Sequence, residues 1–172
     1  MFIPDKNLYI VVDVETTGKK IPDGRIIEIA MIKIFNFEPI DYYHTLINPE
    51  ERLPWFISRL TGIKNSTLKK APTFCEVAKD IVDFIENGVI VAHNAPFDYA
   101  YLKCELERSL QNYIFQNEKI CTVKLARKKF PELGKYNLDF ITTFFNISNP
   151  CRHRAYGDAM VTAEFFLKHL IR

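Results

Sequence analysis

A single α/β domain wrapped around a mixed sheet is the fold class that the sequence predicts. Apolar, β-branched runs come first and apolar stripes of helical period come later, and no repeat, low-complexity tract or Gly/Ser linker divides residues 1–172. Strands followed by alternating helical segments argue for one layered unit. With 172 residues and 48% hydrophobic content, the chain buries a substantial core, which excludes a disordered class.

Leu8 to Val14 is an almost continuous apolar run rich in β-branched residues, the pattern of a strand covered on both faces, and it gives way to Thr16-Thr17-Gly18. Ile26 to Phe35, a turn over 36–39, and Ile40 to Ile47 closed by Asn48-Pro49 complete a β-meander. Beyond Pro54 the pattern changes. Val77, Ile81, Phe84 and Ile85 recur at helical spacing until Asn87-Gly88 stops the helix, and Val89 to Ala92 reads as a short central strand. Asn94-Ala95-Pro96 opens the next helix, with Asn94 as N-cap and an early proline, and that helix runs to about Arg108. Ile120 to Val123 reads as a short strand leading into a basic helix. Ala155, Ala159, Thr162, Ala163, Phe166, Leu167 and Leu170 then repeat at helical period and predict a long C-terminal helix packed on the sheet.

Charge narrows the function. The net +2 from 23 basic and 21 acidic residues carries no bulk signal for a polyanion, so any nucleic-acid footprint has to be local. The four cysteines, Cys75, Cys104, Cys121 and Cys151, form no CxxC pair and no zinc spacing, which favours reduced thiols in a cytoplasmic protein. No signal-peptide pattern and no apolar run of membrane-spanning length is present, so no membrane partner is expected.

Asp13 and Glu15 stand two apart on the first strand and leave it on one face, shared with Tyr9 and Val11. Two carboxylates beside apolar neighbours repel each other and resist burial unless a cation neutralises them, and oxygen ligands suit Mg²⁺ or Mn²⁺. Asp98 falls in the first turn of its helix, where the helix dipole alone accounts for an acid. Asp158 falls near the start of the last helix, off the apolar stripe. His153, five residues earlier, would lie roughly 140° from it on a continuous helix, which places His153 on a preceding loop. From there an imidazole can swing toward the acids and abstract a proton. Taken singly, each residue also has an ordinary reading as a solvated surface group.

VVDVETTG (11–18), VAHNAPFDYAYL (91–102) and HRAYGDA (153–159) stand in the order of three exonuclease motifs. The chain resembles the DEDDh branch of the DnaQ-like 3′→5′ exonuclease superfamily and, within it, the epsilon-type proofreading exonucleases of DNA polymerase III. RIIEIAMIKI (25–34) looks like the family's second strand, 60–74 like its connector and 135–147 like the helix before the last motif. The resemblance implies a ribonuclease H-like fold with a central mixed five-stranded sheet flanked by helices. It implies that Asp13, Glu15, Asp98 and Asp158 hold two divalent ions and that His153 is the general base. Arg154 occupies the position where the sister branch carries a tyrosine, and Tyr156 is two residues too close to Asp158. The resemblance also implies that Thr16, Thr17 and Gly18 border the terminal nucleotide while His93, Asn94 and Phe97 line the same pocket. Phe97 shares helical spacing with Tyr101 and Cys104 and reads equally as a core ring.

The implied activity is release of nucleoside monophosphates from single-stranded 3′ ends in DNA proofreading. A ribonuclease T or oligoribonuclease-like activity and an inactive nucleic-acid-binding subunit are the alternatives. Lys119, Lys124, Arg127, Lys128, Lys129 and Lys135 cluster in sequence, with a solvated helix face as the ordinary explanation. Arg152 and Arg154 flank His153 and are the better candidates for phosphate. The resemblance implies a DNA polymerase subunit as partner; many epsilon-type subunits carry a polymerase-binding tail after this domain, and with the sequence ending at Arg172 the expectation shifts from stable polymerase attachment to a free-standing nuclease or a domain of a larger protein.

Overall fold

Strand pairing organises the molecule. In the computed structural model, which describes residues 7–171, β1 (Leu8–Thr16) pairs antiparallel with β2 (Ile26–Phe35), and β2 with β3 (Glu38–Leu46). β4 (Val89–Ala92) adds parallel to the other side of β1, and β5 (Lys119–Cys121) adds parallel to β4. The order β3-β2-β1-β4-β5 is the mixed five-stranded sheet expected. The β2–β3 hairpin turns on Asn36 and Phe37, at φ 49° and 64°, a left-handed pair that matches strand twist. That tight turn starts β3 at Glu38 rather than Ile40. β5 is likewise shorter than expected, because Thr122 and Val123 already belong to the basic helix.

Between β3 and β4 lie α1 (Trp55–Thr61), α2 (Asn65–Leu68) and α3 (Phe74–Ile85). The first two are absent from the periodicity, being too short to show a repeat. Gly62, at φ 73°, ends α1 and donates its N–H to Ser58 O at 2.9 Å. Leu53, Ile57, Ile63 and Leu68 bury with Ile27 in a cluster of their own. The remaining helices are α4 (Pro96–Ser109), α5 (Thr122–Lys129), α6 (Leu138–Phe144) and α7 (Ala155–Phe165), which continues through a π-helical turn over Phe166–Leu170. A short 3₁₀ turn, Pro131–Leu133, links α5 to α6.

Alternation on β1 divides the core. Ile10, Val12 and Val14 pack with Ile29, Met31 and Ile90 beneath α3 and α4. Tyr9 and Val11 pack with Ala30 and Ile32 beneath α7. Each fully buried side chain of this kind stabilises the fold by about 1.5–3 kcal/mol relative to exposure. Asp13 and Glu15 continue the Tyr9–Val11 series, so they emerge on the α7 side.

Asn94 departs from its expected place. It sits at φ 70°, exposed, and its carbonyl accepts from Phe97 N at 3.0 Å, while α4 carries no side-chain N-cap. The left-handed turn at Asn94 swings the chain from β4 into α4 and carries Asp98 back toward β1. All four cysteines are free, and among the described residues no helix is long and apolar enough to cross a membrane.

Ile81, fully buried in α3 against the sheet, tests this packing. Ile81→Ala is expected to lower the unfolding free energy by about 3 kcal/mol. Urea denaturation reads it, and a loss below about 1 kcal/mol contradicts the layer assignment.

Candidate active site

The site begins where β1 outlives its neighbour. The β1–β4 ladder ends at Val11 and Val91, so β1 runs on with one edge open. Asp98, from the first turn of α4, fills that edge: Val14 N–H donates to its Oδ1 at 3.2 Å. Asp158, in the first turn of α7, descends on the opposite side. Carboxylate oxygens of Asp13, Glu15 and Asp158 lie within 4.8 Å of one another. Asp98 and Asp158 are both buried, which rules out the reading of Asp158 as a solvated first-turn acid.

Electrostatics show a cluster short of positive charge. Burial, followed by repulsion from Asp98, Asp158, Glu15 and Glu28, holds the Asp13 carboxyl well above its usual range. Burial and the charges of Asp158, Glu28 and Asp98 push Glu15 up to about 8, against a partial pull from Arg154. Burial raises Asp98 to about 7, opposed by the Val14 N–H. Asp158 is raised by burial as well, while hydrogen bonds from Asn149 (Nδ2 to Oδ1, 2.7 Å) and the His153 backbone, together with the charge of His153, lower it. An all-oxygen set whose members repel one another fits a hard divalent cation, which relieves the repulsion and supplies the missing charge. Asp13, Glu15 and Asp158 can hold such an ion directly, with Asp98 adjoining.

Glu28 escaped sequence reasoning, although a lone acid inside the run IIEIAMI was a signal that a buried charge needs a partner. It lies directly across the β1–β2 ladder from Glu15 and is fully buried. Arg154 grips it from Nε at 3.1 and 3.0 Å and from Nη2 at 2.7 Å, Ala155 N–H donates at 3.1 Å, and His44 Nε2 lies 2.8 Å away. Burial opposes the charge of Glu28, but the bonds from Arg154, His44 and Ala155 outweigh it and hold the carboxylate below its ordinary value. Asn149, with no motif to mark it, was also missed.

These contacts revise several expectations. Arg154, expected as a free cation for phosphate, is committed to Glu28. Arg152 pairs with Asp139 of α6 and remains exposed. His93 is not a free pocket wall: Nδ1 lies 2.9 Å from Thr122 Oγ1 and Nε2 2.8 Å from Tyr136 O, so both ring nitrogens are engaged internally. Thr17 is buried and its hydroxyl accepts from Arg25 N at 3.1 Å, and the Thr16 hydroxyl accepts from Gly18 N at 3.2 Å. These two side chains fasten the loop at the end of β1. Phe97 is 43% exposed, its ring centroid 4.7 Å from that of Tyr101, which excludes the core reading. His153 sits on the turn before α7 at φ 58°, beside Asp158. Of the basic cluster, Lys119 lies over Tyr99 at 3.9 Å and Arg127 over Tyr136 at 5.5 Å.

A mixed sheet of this order, with acids from β1, α4 and α7 gathered at the end of its central strand, has the ribonuclease H-like fold. The family model described as Exonuclease, of RNase T type, matches residues 10–166, and the chain belongs to that family. It is 37% identical to the PolC-type DNA polymerase III of Caldanaerobacter subterraneus over 94% of this chain and 11% of that protein. It is 33% identical to the DNA polymerase III epsilon subunit of Aquifex aeolicus, over 94% of this chain and 80% of that one. The chain thus spans about a tenth of the PolC-type relative's length. The nuclease domain of 3′hExo, a DEDDh family member bound to rAMP, superposes with a TM-score of 0.77 at 18% identity, covering 97% of this chain and 95% of that one.

Two outcomes follow from the charge arrangement. Glu15 moves from 4.5 to about 8 on folding, so the folded state holds its proton more tightly and this contribution to stability is lost as pH rises through that window. In metal-free thermal melts, Glu15→Gln is expected to gain on the parent protein between about pH 5 and 8. A constant difference contradicts the shift. Arg154→Ala leaves Glu28 buried without its main partner and is expected to cost about 2 kcal/mol in urea unfolding, a low figure because Arg154 is partly exposed. An unchanged midpoint contradicts the pairing.

Proposed function

We propose that this domain is a divalent-metal-dependent 3′→5′ exonuclease that removes nucleoside monophosphates from single-stranded DNA ends in proofreading. The convergence of Asp13, Glu15 and Asp158 within 4.8 Å, with Asp98 bonded to the same strand, carries the reading. A binding module facing a polyanion gains nothing from four converging acids.

In this reading the four acids hold two cations, Mg²⁺ or Mn²⁺, and His153 accepts the proton of the attacking water. Bound there, the ions supply charge neutralisation at the scissile phosphate and a lowered pKa for water. The Thr16–Thr17–Gly18 loop borders the terminal nucleotide through its backbone, and Asn94 and the open ring of Phe97 line the other side. Glu28 and Arg154 act as positioning residues: they tie the start of α7 to β2 and so fix Asp158 over Asp13. DNA as substrate and association with a DNA polymerase are supported by the polymerase III names of both relatives, and the protein is read as cytoplasmic. Residues 1–172 are read as a single exonuclease domain.

With Mg²⁺ or Mn²⁺, the protein is expected to shorten a 5′-labelled single strand from its 3′ end, and Asp13→Ala to abolish this. His153→Ala is expected to lose about a hundredfold or more in kcat while retaining metal binding, whereas unchanged turnover removes its role as base. A parallel assay on single-stranded DNA, mismatched duplex and short RNA reads the preference for DNA. Inactivity on all three overturns the reading.

A further inference from the structure

Between Arg52 and Lys70 the chain carries five cations and no acid. Arg52, Arg59, Lys64, Lys69 and Lys70 are all exposed, and among the described residues no ion pair engages any of them. They share one small unit, α1 and α2 around Gly62, whose apolar side is buried against Ile27 and leaves the charged side chains outside.

The same unit exposes two large rings. Trp55 is 73% and Phe56 52% exposed, their centroids 6.3 Å apart and their planes at 89°. Exposed rings beside unpaired cations call for a partner with flat apolar faces and regular negative charge. Single-stranded nucleic acid has both, since bases stack on aromatic rings and phosphates meet cations.

Placement ties this surface to the acid cluster. A Cβ at Gly18 would stand 2.9 Å from Ile57 Cδ1 and 3.6 Å from the Phe56 ring. Gly18 follows Glu15 by three residues, at most roughly 11 Å of chain, or about three stacked nucleotides at 3.4 Å each. We infer that α1 and α2 form a second nucleic-acid site, a track that holds the single strand upstream of its 3′ end. Bases stack on Trp55 and Phe56 while Arg52, Arg59 and Lys64 neutralise phosphates. The direction of the strand rests on the exonuclease reading, which puts the 3′ end at the acids.

Trp55 is the one tryptophan in the sequence, so its fluorescence reports the site. The chain is titrated at low ionic strength, without divalent metal, with an oligothymidylate and separately with thymidine 5′-monophosphate. Saturable quenching by the oligonucleotide, with little from the mononucleotide, is expected. Phe56→Ala, which keeps the reporter, weakens oligonucleotide binding roughly tenfold, the size of one lost stack. Arg59→Gln combined with Lys64→Gln lowers the slope of log affinity against log salt by about 1.4, or about 0.7 for each lost contact. An oligonucleotide that leaves Trp55 unchanged, or a mononucleotide that quenches equally, overturns the track, and the first result hands the patch to an acidic protein partner. Hydrolysis of 3′ ends by the same preparation with Mg²⁺ would keep the exonuclease reading in either case. Quenching without hydrolysis supports the track and overturns the exonuclease reading.

Discussion

Five carboxylates crowd the end of one strand pair, and the fold answers only one of them in full. Glu15 and Glu28 face each other across the β1–β2 ladder, an arrangement of like charges that destabilises a sheet when nothing intervenes. Glu28 receives Arg154, the Ala155 N–H and His44. These bonds bring the start of α7 down onto β2, which sets Asp158 above Asp13. The cation that the sequence offered as a phosphate ligand therefore builds the site, and the other four acids keep their mutual repulsion. Stability given up at that point is what a metal-binding function requires.

Much of this was legible because it depends on short-range rules. The alternation of Tyr9, Val11, Asp13 and Glu15 put both acids on one face without reference to the rest of the chain. The five-residue gap between His153 and Asp158 placed the histidine on a turn, and the structure has it there at φ 58°. The failures lie where tertiary partners decide. Nothing in the sequence pairs Arg154 with Glu28, 126 residues away, or His93 with the Tyr136 carbonyl. Asn94 has the composition of an N-cap, yet the tight β4–α4 crossing needs a left-handed residue there. The helices α1 and α2, at seven and four residues, are too short for periodicity to register.

The net +2 of the whole chain conceals a division of charge. Acids gather at the end of β1, and unpaired cations gather on α1 and α2, joined to the acids through the Gly18 contact. A polyanion is drawn to the second region and repelled by the first until cations occupy it. In the exonuclease reading, that division would make metal binding a condition for seating a 3′ end and would assign affinity and chemistry to different parts of the surface.

The buried acids hold their protons more tightly than free carboxyls, and a divalent cation has to displace those protons to bind. Isothermal titration of Mn²⁺ into the protein near pH 7, repeated in buffers of different ionisation enthalpy, counts the protons released. With Glu15 at about 8 and Asp98 at about 7, binding is expected to release about one proton or more, fewer as pH rises above 8, and fewer in a Glu15→Gln, Asp98→Asn double variant, in which Asp13 remains the main buried acid to give one up. Binding without proton release, or no binding at all, contradicts the account.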